Sequence, residues 1–120
     1  MNFKSLVSFL VVSTVTLCAG VALAGDIRGP QMAHDIAPAR TNVDYVVAFR
    51  GGERAAVYVK GDGSTDLDCF LINPNGVTVA SDTDGTDTCL LEVIPVFTTG
   101  YTVRITNLGF VGNEFWMRTN

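Results

Sequence analysis

The chain has 120 residues, with twelve acidic and eight basic side chains, one histidine, one tryptophan and three cysteines. This length leaves room for a single domain behind any leader. The acidic balance excludes nucleic acid as a natural partner, because phosphate binding needs clustered positive charge.

Residues 1–24 read as a secretory leader. Lys4 gives a positive start, residues 6–21 are almost uncharged and largely apolar, and Ala22-Leu23-Ala24 is a small-x-small cleavage site. A retained spanning helix needs about 20 apolar residues, and this stretch is shorter and interrupted by Ser and Thr. Leu17 is too bulky for a lipoprotein site at Cys18, so Cys18 leaves with the leader. The mature chain then starts at Gly25, is secreted or periplasmic, and keeps no stable membrane span. Lys4 is the only charged residue of the leader, so the mature part carries twelve acidic against seven basic residues, a net charge of −5.

Residues 25–42 contain Gly29, Pro30 and Pro38 and show neither a helical nor a strand period. They read as an N-terminal arm. The β signal starts at residue 43. Tyr45, Val47 and Phe49 share one face, then Gly51-Gly52 turns the chain. Ala55, Val57 and Val59 share a face of the next strand. A loop at residues 61–64 leads to residues 67–72, where Leu67, Cys69 and Leu71 oppose Asp68, Phe70 and Ile72. Pro74-Asn75-Gly76 is a hairpin turn. A short strand at 77–80, a polar loop at 82–88 and a strand at 89–94 follow. Tyr101, Val103 and Ile105 then align, and Phe115 and Met117 oppose Glu114, Trp116 and Arg118. About seven strands at this spacing predict an all-β, antiparallel two-sheet sandwich, jelly-roll-like, over residues 43–120.

In an exported chain, Cys69 and Cys89 are most simply one disulfide. A redox or metal-binding pair lacks Cys-x-x-Cys spacing and has only His34 for company.

The segment Asp66-Leu67-Asp68-Cys69-Phe70-Leu71, then Asn73-Pro74-Asn75-Gly76 and Val79-Ala80-Ser81-Asp82, resembles the bacterial pre-peptidase C-terminal domain. Gly100-Tyr101-Thr102-Val103-Arg104-Ile105 matches that family's later Gly-x-Tyr strand. Asn113-Glu114-Phe115-Trp116-Met117 stands in for its closing strand. Cys69 replaces the usual leucine, which its pairing with Cys89 explains. No peptidase stands before the domain in this chain. The resemblance implies a free-standing, non-catalytic β-sandwich module that requires no cofactor.

Two readings of the aspartates stand side by side. Asp82, Asp84 and Asp87, with Asp66 and Asp68 beside them, are candidate Ca²⁺ ligands, since Ca²⁺ takes six to eight oxygens from such loops. Equally, aspartates in loops bond their own backbone and form turns. Asp68 is a strand carboxylate that invites an arginine partner such as Arg104. Trp116, Tyr58 and Phe70 are candidate outward aromatics. Trp116 and Tyr58 form the candidate binding pair, either for an envelope or extracellular protein or as the platform of a carbohydrate-binding module. Catalysis has little to stand on: Ser64 and Ser81 lack a nucleophile motif, and His34 lies in the arm.

Overall fold

The structure, a computed structural model, describes residues 25–120. The leader expectation for residues 1–24, with Cys18, lies outside the described residues. Eight strands follow one another: β1 (Met32–Ala37), β2 (Asn42–Phe49), β3 (Ala55–Lys60), β4 (Leu67–Ile72), β5 (Thr78–Asp82), β6 (Thr88–Val93), β7 (Thr99–Asn107) and β8 (Asn113–Thr119). They form two four-stranded antiparallel sheets. The first has the order β1-β8-β3-β6 and the second β2-β7-β4-β5. Consecutive strands mostly lie in opposite sheets, the double Greek-key arrangement of a jelly roll. No helix occurs among the described residues.

The extra strand corrects the reading of residues 25–42 as an arm. β1 pairs with β8 along its whole length, from Met32↔Arg118 to Ala37↔Asn113. Ahead of it, Asp26 and Ile27 are fully buried. Asp26 accepts a hydrogen bond from the Thr119 hydroxyl at 2.7 Å. The local pattern conceals the strand because its inward residues are Ala33, Asp35 and Ala37, two small and one charged. Asp35 suits an edge position, where an inward carboxylate discourages a further strand from pairing. Its carboxylate accepts from the Ile36 amide at 2.8 Å and from the Tyr45 hydroxyl at 3.3 Å. Burial, and then the Asp35 charge, push the Tyr45 hydroxyl pKa up to about 12.

From β2 onward the alternation places the core as read. Phe49, Val57, Val59, Leu67, Cys69, Leu71, Val103, Ile105 and Phe115 are completely buried between the sheets. Cys69 and Cys89 are bonded, with their Cα atoms 6.2 Å apart. The bridge joins β4 of the second sheet to β6 of the first. Asn73 builds the β4–β5 turn by accepting the Asn75 and Val77 amides at 3.0 and 2.9 Å. Gly76, at φ 80°, supplies the left-handed residue this turn needs.

Two buried asparagines fix the end of the sandwich near the acidic loops. Asn107 donates to the Ala37 and Val111 carbonyls at 2.9 and 2.8 Å. Asn113 accepts from the Asp62 amide and donates to Thr65 and Asp87. Gly61 lies so close to this group that a Cβ there would meet Asp87 and Asn113 oxygens at 2.3 and 2.5 Å.

Candidate functional site

The outward side chains of the first sheet form one continuous surface. Strand alternation turns Met32, His34 and Ile36 outward on β1, Glu114, Trp116 and Arg118 on β8, and Tyr58 and Lys60 on β3. The register sets His34 against Trp116, Lys60 against Trp116, and Tyr58 between Arg118 and Leu90. Trp116 and Tyr58, the two aromatics expected to bind, therefore share this face. Phe70 does not: it lies half-buried on the outside of the second sheet, opposite Arg104.

The rings are held by their neighbours. His34 stacks on Trp116 with centroids 4.6 Å apart and planes 6° from parallel. Adjacent strands lie about 4.8 Å apart, so two parallel rings on facing residues stand upright from the sheet rather than flat upon it. His34 is fixed in turn by Glu114, whose carboxylate is 2.7 Å from Nε2. The Arg118 guanidinium lies 5.1 Å from the Tyr58 ring centre, a cation–π contact. Between these groups opens a shallow pocket of about 340 Å³ lined by Met32, Tyr58, Lys60, Trp116 and Arg118. Met32 is 72% exposed and Trp116 40%. Among the described residues, neither Lys60 nor Arg118 has an acidic partner.

Sequence reasoning missed Met32 and His34 because β1 was read as an arm. It also missed Lys60 and Arg118, although both share strand parity with the aromatics beside them.

The five aspartates expected at a metal divide into two groups. Asp82 accepts the Leu90 amide at 3.0 Å and so ties β5 to the edge of β6. Asp84 accepts the Thr86 amide and hydroxyl at 3.0 and 2.8 Å, which lowers its pKa. Asp87 accepts the Gly63 amide at 2.6 Å and Asn113 at 3.1 Å. These three act as turn and loop fasteners. Asp66 and Asp68 each keep one buried oxygen without a hydrogen-bond partner. Among the described residues, no three acidic, His or Cys side chains come together as a metal-binding group.

Arg104 does not pair with Asp68. It lies opposite Asp44 on β2 and binds it through two 3.0 Å contacts, whereas Asp68 faces Thr106. Burial first, and then the charges of Asp66, Asp82 and Asp84, raise the Asp68 pKa. A carboxylate raised in the folded state destabilises it when ionised, and that penalty fades as pH falls through the raised pKa. Asp68→Asn is therefore expected to stabilise the fold at neutral pH by less than about 1 kcal/mol, with the gain fading as pH falls through the raised pKa and gone once Asp68 is protonated in both the folded and unfolded states. Urea midpoints of the two proteins across this range are the measurement; a loss of stability at neutral pH would contradict it.

His34 and Ser64, weighed above for catalysis, are each occupied by another partner. His34 is engaged by Glu114, and the Ser64 hydroxyl donates to the Gly112 carbonyl at 3.2 Å.

No family model matches the chain, and no curated protein matches it. Solved structures do. The pre-peptidase C-terminal domain of collagenase from Bacillus anthracis superposes with a TM-score of 0.60 at 7% identity, over 83% of this chain and 91% of that one. PliG of Aeromonas hydrophila, a periplasmic inhibitor of g-type lysozyme, gives 0.56 at 11% identity, over 76% and 84%. The Yersinia pseudotuberculosis-derived mitogen gives 0.56 at 10% identity, over 77% and 85%. At such identities the likeness is one of fold, and that fold is a β-sandwich like the pre-peptidase C-terminal domain.

Proposed function

We propose that this protein is an exported, non-catalytic binding module that engages a protein partner of the cell envelope or its surroundings through the outer face of the first sheet. The observation carrying this reading is the open pocket between Trp116, Tyr58 and Met32, flanked by two cations without acidic partners. Exposed aromatic and Met side chains around such a pocket are the composition of protein interfaces. The disulfide supports an oxidising compartment. The fold is shared with PliG, a periplasmic protein that inhibits another protein.

A carbohydrate platform is the second reading. Its support is the exposure of Trp116 and Tyr58. The covering of one Trp116 face by His34, and the placement of Arg118 over Tyr58, leave less open ring for a sugar and favour the protein partner.

Cross-linking of the purified protein to the exported fraction, with Trp116→Ala, Tyr58→Ala and Asp44→Asn variants, tests the surface. Capture is expected to fall with the two aromatic variants and to persist with Asp44→Asn on the other sheet. Capture indifferent to Trp116 and Tyr58 would end the reading; a Trp116 fluorescence change with neutral polysaccharides alone would replace it with the sugar reader.

Calcium modulation is supported in this proposal by the unpartnered oxygens of Asp66 and Asp68 alone. Millimolar Ca²⁺, with Mg²⁺ as the control, is expected to raise the Tm of the wild type and not of Asp68→Asn. Absence of a Ca²⁺-specific shift removes calcium from the reading.

A further inference from the structure

The geometry points to a carboxylate-bearing peptide segment as the occupant of the pocket between Lys60, Arg118, Trp116, Tyr58 and Met32. This rests on the binding face proposed above and names the chemistry it would take.

Charge complementarity carries the inference. Without the leader the chain is net −5, yet this pocket is lined by two cations and no acid. The acidic residues nearest on the same face are already engaged: Glu114 by His34 and Glu92 by Arg54. Lys60 and Arg118 lie diagonally across the β3–β8 pair, where long side chains reach one another's surroundings. Two like charges at that spacing repel, and an anion seated between them removes the repulsion. Arg118 is turned so that its guanidinium covers Tyr58, which keeps its donors at the pocket wall. A carboxylate there would gain charge-assisted hydrogen bonds, the strong kind. Met32 and Trp116 offer the apolar contact that residues flanking the carboxylate would cover. A volume of about 340 Å³ holds a few side chains rather than a whole domain edge, which suits a short acidic and apolar segment projecting from a partner. An acidic polysaccharide would meet the cations equally well. It would not use Met32, and it would find one Trp116 face taken by His34 and Arg118 placed over Tyr58.

Trp116 is the only tryptophan of the chain and lines the pocket, so its fluorescence reports occupancy directly. The probes are the capped peptide Leu-Glu-Phe-Glu-Leu, its Leu-Gln-Phe-Gln-Leu twin, and polygalacturonate. The Glu peptide is expected to bind at least about tenfold more tightly than the Gln twin, with an affinity that falls as salt rises. Lys60→Ala and Arg118→Ala are expected to erase that difference. Both side chains are exposed, and an unchanged Tm for each variant confirms that the fold is intact. Equal binding of the two peptides, no binding at millimolar peptide, or binding of polygalacturonate in their place would each overturn the inference. Partner capture that is lost in Trp116→Ala but retained in Lys60→Ala and Arg118→Ala would leave the binding face standing and remove only the carboxylate.

Discussion

Reduction of the Cys69–Cys89 bridge is expected to lower stability by roughly 3 kcal/mol, the chain-entropy value for a closed loop of about 20 residues. For a domain of this size that is a fall in Tm of roughly 15 °C. The bridge joins the two sheets, from β4 in one to β6 in the other. β6 is an edge strand, with β3 on one side only, so it has fewer ladder bonds to hold it than a central strand. The unfolded chain gains freedom when the bridge is cut, and β6 loses its covalent tie to the other sheet. Calorimetry of oxidised and reduced protein is the measurement. A Cys69→Ala, Cys89→Ala protein should lose at least as much, since both sulfurs are buried in the core and their removal leaves a gap. An unchanged midpoint on reduction, or two free thiols in the native protein, would contradict the bridge.

Phe115→Ala is expected to cost about 3–5 kcal/mol, the range for truncating a buried phenylalanine. Phe115 is completely buried on β8, a central strand between β1 and β3. Its ring meets Tyr45 of the opposite sheet edge to face, with centroids 6.3 Å apart and planes 82° apart. The substitution therefore opens the interface between the sheets beneath the candidate binding face. Domains of this kind have about 5–15 kcal/mol of total stability, so a loss of this size leaves a marginal fold. Urea denaturation should show a lower midpoint with an unchanged slope. Val46→Ala, on the outer surface of the second sheet, is the control and should leave the midpoint in place. A loss below about 1 kcal/mol for Phe115→Ala would mean that the two sheets do not pack through this ring.

The two substitutions act on the same boundary from different directions. The bridge ties the sheets covalently near the acidic loops, and Phe115 ties them by packing under Trp116. Phe115 and Trp116 are neighbours in β8 with opposite parity, so one segment of backbone carries both the core ring and the outer pocket's tryptophan. The stability of the sandwich and the shape of the candidate face are therefore linked through one strand.

Much of the fold was legible in the sequence because strand parity is a local property. Successive side chains point to opposite faces, so the apolar members of β2, β3, β4, β7 and β8 identify their own inner face without knowledge of their partners. The Asn73-to-Gly76 turn is equally local, since it is made by one side chain and one left-handed glycine. The pairing of Cys69 with Cys89 followed from an even count and from both residues falling on apolar faces.

What the sequence did not reveal was decided by pairing between distant segments. β1 has too few apolar inward residues to announce itself; it is a strand because β8, some eighty residues away, supplies its hydrogen bonds. The face that unites His34, Met32, Trp116, Tyr58, Lys60 and Arg118 exists only through the β1–β8 and β3–β8 registers. The aspartates follow the same rule. Their spacing suggested a common ligand; the tertiary structure gives Asp82, Asp84 and Asp87 backbone and side-chain partners of their own, and leaves Asp66 and Asp68 each with a buried oxygen that has no hydrogen-bond partner. Composition and alternation thus determined an all-β, disulfide-bearing sandwich and its inner surfaces. Which outer side chains share a surface, and which carboxylates are already engaged, was decided by long-range strand register, because hydrogen-bond partners and side-chain neighbours across a sheet are not encoded in the local period.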